Sequence, residues 1–335
     1  MKMNLQDIIL FTLNSIMPII ILIFLGYFLR LRGFFDDKFL KIGNKTVFNV
    51  LLPALLFKNI FDIEDMSEIR MDVVGYCLLI EALLILVGWA MTLFVRDPEQ
   101  KGVVHQCVFR SNFALIGVPL AELIGGAGGV RIAAILSMFT IPLFNVMAVI
   151  VLSVYKNGSA RINPGKLLGD IIRNPLIIGV VLGLLGALLK NVLLPAQTVA
   201  YFGQLTFVYT AISYLARAAT PIALLVLGGQ FDFNQISGYK NQLTLGVIGR
   251  NLIAPICGIG IGAMLTISGT ASFGPEAMAA IIALFATPVA VSSAIMAEAM
   301  GNDGKLAGQL VVWTSILSML SLAASIALCR GFGLL

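Results

Sequence analysis

Two short stretches hold residue types that could recognise a negatively charged ligand in apolar surroundings. Arg110-Ser111-Asn112, followed by Gly117 and Pro119, sets a permanent cation, a hydroxyl and an amide in a largely apolar run. Thr287-Pro288, followed by Ser292 and Ser293, sets small hydroxyls beside a proline. Proline inside a membrane-spanning helix removes a backbone donor and clashes with the preceding turn, freeing polar groups that hydrocarbon cannot satisfy. Such a break is tolerated only where the backbone is buried in protein or lines a cavity. Freed amides and half-helix N-termini there favour an anion. Arg110, Ser111, Asn112, Gly117, Pro119, Thr287, Pro288, Ser292 and Ser293 are therefore the expected substrate-contacting residues, with Pro119 and Pro288 breaking two helices that cross and Pro53 and Pro221 expected to break two more. The plainer reading is that each proline only kinks its helix. Their repetition beside polar residues favours the break.

Charges inside apolar spans are costly and are functional candidates by default. Arg110 either holds a ligand carboxylate or pairs with a protein acid. Glu81 either carries a coupling proton or pairs with Arg110 or Arg250. Arg217 and Arg250, nearer helix ends, are expected to snorkel or form salt bridges. No carboxylate cluster marks a sodium site. His105 opens a helix and reads as structural. Cys77, Cys107, Cys257 and Cys329 are far apart with no CxxC spacing, so they read as buried thiols, and neither a metal nor a cofactor is expected. Gly258, Gly260 and Gly262 mimic a dinucleotide fingerprint but follow no strand; like Gly179 and Gly183, they read as close helix packing. Asn44-Lys45-Thr46 matches a glycosylation sequon by chance. A membrane-embedded enzyme would need an HExxH pair, facing aspartates or a serine–histidine dyad, and the sequence has none, so no enzyme is expected. A channel or nutrient sensor on a transporter scaffold is the alternative function.

The positioning elements follow from composition. Hydrophobic residues are 59% and charged residues 12% of the 335, with a mean hydropathy of +0.98. No soluble core could hide that surface, so lipid is the solvent. The net charge of +5 forms no basic stripe, which excludes a nucleic-acid partner. Apolar runs of about 20 residues predict ten helices, over 8–29, 40–60, 72–95, 102–123, 129–155, 170–189, 198–229, 242–266, 276–298 and 305–329. The first is too long for a signal-peptide core and reads as retained.

Arg30, Arg32, Lys38, Lys41, Lys45, Arg96, Lys101, Lys156, Arg161, Lys166, Arg173, Lys240 and Lys305 fall on one side of the membrane. Lys2, Lys58, Arg70, Arg131, Lys190 and Arg330 fall on the other, with the acids Asp62, Glu64, Asp65 and Glu68. Basic loops stay inside, so both termini are expected outside the plasma membrane. Pro53 with Phe61-Asp62 is echoed 168 residues later by Pro221 with Phe231-Asp232, and Pro119 is echoed by Pro288 after 169. Two landmarks at nearly one offset argue for duplication. Each half, 1–160 and 161–335, then holds five helices, and an odd number inverts the second half. The predicted fold is all-α integral membrane: ten helices as two inverted five-helix repeats, with helices 4 and 9 broken and crossing.

Asn112, Gly117, Pro119 and Leu120, the run Ala286-Thr287-Pro288-Val289-Ala290-Val291-Ser292-Ser293, and the Pro-x-Leu-Leu elements at Pro53 and Pro221 together resemble the auxin efflux carrier family in its short bacterial form. That resemblance spans essentially the whole chain. It implies a scaffold of helices 1, 2, 6 and 7, a dimer contact through helices 2 and 7, and a transport domain of helices 3–5 and 8–10. It also implies a substrate carboxylate beside Asn112. Function by this reading is elevator-type secondary transport of a small organic anion, a mono- or dicarboxylate, in contact with membrane lipid. The long cytoplasmic insert of many plant members is missing here.

Overall fold

The structure, a computed structural model, describes residues 5–62, 70–156, 165, 169, 172–189, 206–231 and 238–335. The expected loop charges Lys2, Glu64, Asp65, Glu68, Arg161, Lys166 and Lys190, and Asp232 of the repeated element, lie outside the described residues. Among the described residues the regular elements are helical. They are α1 (Leu5–Leu31), α2 (Asp37–Thr46), α3 (Leu52–Phe61), α4 (Met71–Met91), α5 (Pro98–Phe109), α6 (Val118–Lys156), α7 (Pro175–Leu188), α8 (Thr206–Gln230), α9 (Lys240–Ile248), α10 (Ile261–Ile267), α11 (Pro275–Phe285), α12 (Ser292–Ala299) and α13 (Gly304–Gly331).

Among the described residues six helices are long and apolar enough to cross a membrane: Asp37–Phe61, Met71–Phe94, Phe113–Lys156, Thr206–Gln230, Lys240–Ile267 and Gly304–Gly331. Met17–Leu31, Pro175–Leu188 and Pro275–Phe285 are shorter apolar helices. Leu79, Leu86, Met264 and Leu320 point outward, 63–73% exposed. Large apolar side chains turned outward along several helices are what a lipid-facing surface requires.

Three spans carry a widened turn just before a proline, for one physical reason, while α1, α6 and α8 also run on through Pro18, Pro142 and Pro221. Val47–Leu51, Phe113–Gly117 and Gly249–Ile253 are widened π-helical turns, each ending two residues before a proline: Pro53, Pro119 and Pro255. The pyrrolidine ring collides with the carbonyl four residues back, here Asn49, Leu115 and Asn251. Widening the turn moves that carbonyl aside and lets the helix continue. The expectations that Pro119 and Pro53 break their helices are thereby corrected, and so is that for Pro221, which lies inside the continuous α8. The chain instead leaves helical geometry before Pro119, at Arg110 (φ −86, ψ 97) and Asn112 (φ −82, ψ 49). Pro288 does lie in a break, between α11 and α12, so the two prolines are not equivalent in place. Gly126, at φ +61 and ψ −151, turns a second corner within α6 that a residue with a Cβ would adopt only under strain.

The helices pack in two groups. In one, α3 lies against α7 and α8, and α1 against α8. A Cβ on Gly179 or Gly183 would stand 2.6 or 2.9 Å from the carbonyl oxygens of Pro53 and Phe57, so those glycines set the α3–α7 approach. In the other, α5 and α11 pack on α6, α4 on α5, and α12 on α13. Gly258 faces Phe285, whose ring a Cβ would meet at 2.1 Å. Close packing therefore accounts for Gly179, Gly183 and Gly258, whereas Gly260 faces open space.

Candidate functional site

The two unwound segments, 110–112 and 286–291, meet. Ser111 and Val289 stand opposite each other in a short antiparallel pairing. The Asn112 amide donates to the Pro288 carbonyl at 2.8 Å, and the Ala290 amide to the Arg110 carbonyl at 3.2 Å. The Val289 amide donates to the Thr314 hydroxyl at 3.3 Å. The crossing thus uses the amides of Asn112, Val289 and Ala290, and not those of Phe113, Ala114 and Leu115 in the first turn beyond it. It also leaves side chains unpaired.

Arg110 is 2% exposed. Its guanidinium donates to Asn145 Oδ1 (2.9 Å) and Ser292 Oγ (3.1 Å) and contacts Met296 Sδ (2.9 Å). Among the described residues no acid pairs with it. The Asn112 side-chain nitrogen and the Ser111 hydroxyl are buried without a hydrogen-bond partner. Buried polar groups are almost always satisfied, and a buried cation without an anion is costly. Three such groups converge on one cavity of about 150 Å³. Arg110, Ser111, Asn112, Asn145 and Ser292 form its polar wall, and Leu52, Leu55, Leu56, Leu176 and Ala223 its apolar wall, with Asn59 and Thr220 on the same side as the leucines. Leu52, Leu55, Leu56 and Asn59 follow the i, i+3, i+4, i+7 stripe of one helix face. The cavity therefore lies between the two packing groups, with the polar wall carried by the crossing segments and α6.

The profile of a family described as membrane transport protein matches residues 11–326. The chain belongs to that family, the auxin efflux carriers. It is 24% identical over 317 residues to an uncharacterized transporter of Methanothermobacter thermautotrophicus, covering 92% of this chain and 95% of that one. It is 23% identical over 230 residues to an uncharacterized transporter of Methanocaldococcus jannaschii, covering 64% and 68% respectively.

In this auxin efflux carrier family member, the other expected site residues stand away from the cavity. A Cβ on Gly117 would lie 2.8 Å from the Ala283 carbonyl, so that glycine lets the chain approach α11. Thr287 turns its hydroxyl to the Ala283 carbonyl at 3.1 Å. Pro119 sits in α6, and Pro288 acts through its carbonyl. Ser293 lies on the far side of the crossing beside Gln106, whose amide donates to the Ser293 carbonyl at 3.1 Å. Pro53 and Pro221 neighbour the lining residues Leu52 and Thr220 but do not line the cavity themselves. Glu81 is 0% exposed, and neither carboxyl oxygen has a partner among the described residues, so it is hydrogen-bonded to neither Arg110 nor Arg250. His105 is buried with Nε2 at 2.8 Å from the Ile85 carbonyl, a packing role. Arg217 is exposed.

Arg250 corrects the expectation of a snorkelling residue. It is fully buried and bonded to backbone carbonyls on both broken spans. Asn59, Asn145 and Thr220 were also not singled out from the sequence. Asn145 had a weak signal, as a lone amide three residues after Pro142 in an apolar run.

Proposed function

We propose that this transporter is a secondary carrier of a small organic anion, a mono- or dicarboxylate, bound where the two unwound segments cross. The observation that carries the reading is the convergence of an acid-free buried guanidinium, an unpartnered amide and an unpartnered hydroxyl on one cavity. A carboxylate supplies the missing charge and accepts from all three groups. A cavity walled on one side by each helix group suits an elevator mechanism: the group bearing α4–α6 and α9–α13 carries the anion past the group formed by α1–α3, α7 and α8.

The same reading takes the chain as ten spans in two inverted five-helix repeats, with one broken span per half. It puts both termini outside the plasma membrane. The scaffold group, through the spans containing Pro53 and Pro221, forms a homodimer. Support for duplication comes from the two broken spans rather than from the prolines, since Pro119 stands seven residues past Asn112 in the sequence.

The test is counterflow of labelled carboxylates in proteoliposomes. The wild-type protein should show saturable exchange stimulated by unlabelled substrate inside, and Asn112→Ala should weaken it. Flux that neither saturates nor shows counterflow would point to a channel. Exchange unchanged in Asn112→Ala would remove the crossing as the site.

A further inference from the structure

Breaking two helices in mid-membrane leaves carbonyl oxygens without partners at the C-terminal ends of both first halves, each end carrying about half a negative charge. In carriers with discontinuous helices such oxygens are the natural ligands of a coupling cation. Here α5 ends at Phe109 and α11 at Phe285, and both ends turn toward Arg250. Its Nε donates to the Thr287 carbonyl at 2.9 Å. Nη1 donates to those of Val108 (3.2 Å) and Phe109 (3.3 Å). Nη2 donates to those of Leu284 (3.1 Å) and Phe285 (2.8 Å).

A guanidinium has five N–H donors, and these five carbonyls use them all. Two helix ends at about half a charge each sum to about one negative charge, which the guanidinium opposes with one positive charge. The residue is 0% exposed and comes from the Lys240–Ile267 span, a third element that locks the two broken ones together. Among the described residues no acid lies within salt-bridge distance of it, and no group of three or more His, Cys, Asp or Glu is placed to hold a metal ion.

We propose that Arg250 is a tethered cation standing where a carrier of this build would otherwise hold sodium. It satisfies the carbonyl cage, sets the charge of the crossing and makes anion binding and transport sodium-independent. The transport part rests on the carrier reading above; the part about the cage does not.

Melting the purified protein in sodium chloride and in choline chloride at equal ionic strength separates the two. Wild type should melt within about 1 °C in the two salts, because no site is left for sodium to stabilise. Arg250→Lys keeps the charge with fewer donors; it should melt lower, again equally in both. Arg250→Met opens the cage, and its lowered melting temperature should rise in sodium relative to choline. A sodium-specific rise in wild type would overturn the proposal, as would an Arg250→Met protein that melts like wild type or is indifferent to sodium. Should Arg250→Met fail to fold, the wild-type titration and Arg250→Lys decide.

Carboxylate counterflow should run at equal rates in the two salts, and a sodium requirement would also overturn the proposal. Absence of counterflow in both salts would count against the carrier reading and leave the melting result to judge Arg250.

Discussion

Arg110→Gln removes the cation from the cavity while keeping a side chain that can still reach Asn145 or Ser292. A hydrogen bond to a charged group contributes about 1.5–3 kcal/mol, so carboxylate affinity should fall roughly 10- to 150-fold. The same substitution relieves a buried charge with no acid beside it. Holding such an ion out of water costs several kcal/mol. Because several kcal/mol of desolvation outweighs contacts that the glutamine partly keeps, the unliganded protein should melt no lower than wild type. That pairing separates a binding arginine from a structural one, since losing a structural cation lowers both quantities together. The assay is carboxylate counterflow in proteoliposomes beside thermal melting of the same preparations. Arg110→Lys, with a compact charge and no planar fork, should fall between wild type and Arg110→Gln. Counterflow within about twofold of wild type in Arg110→Gln, or a loss that follows a collapse in melting temperature, would refute the reasoning.

Gly258→Leu forces a side chain into the Phe285 ring, which a Cβ alone would meet at 2.1 Å; a destabilisation of about 1–3 kcal/mol or more is expected, read as a lower melting temperature. Ser292→Ala removes one acceptor from Arg110 and should weaken carboxylate affinity by a few-fold, less than Arg110→Gln, in a titration followed by melting. Gln230 Nε2 donates to Glu298 Oε1 at 2.9 Å, joining α8 of one helix group to α12 of the other. A Gln230→Cys/Glu298→Cys pair should arrest counterflow when oxidised and release it on reduction; full activity in the oxidised state would count against relative movement of the groups.

The apolar spans were legible because runs long enough to cross lipid have no other explanation at this composition. The second break was legible too: Thr287 precedes a proline and is steered away from helical geometry. The first was not where Pro119 suggested, because a π turn absorbs that clash and the chain unwinds at Arg110–Asn112 instead. No local turn signal marks that spot as non-helical. It is held by pairing with Pro288 and Ala290, 176 to 180 residues away in sequence, and by Arg250 on the last carbonyls of α5. Contacts at such separation leave no periodicity to read. The residues of the break itself were found by type, since arginine, serine and asparagine are expensive in an apolar span. Asn59 and Thr220 escaped notice because they face the cavity from across the gap between helix groups, and only the packing of α3 and α8 brings them there.

Labelling of a thiol introduced at the crossing, in a protein whose cysteines Cys77, Cys107, Cys257 and Cys329 are replaced by serine or alanine, tests the central claim most directly. Ser292→Cys places a small reactive group beside Arg110 on the polar wall of the cavity. A membrane-impermeant thiol reagent should modify it from each face of the membrane in turn, and a transported carboxylate should slow the reaction. Reaction from neither face, or reaction at a rate no carboxylate alters, would contradict an anion held between the two unwound segments.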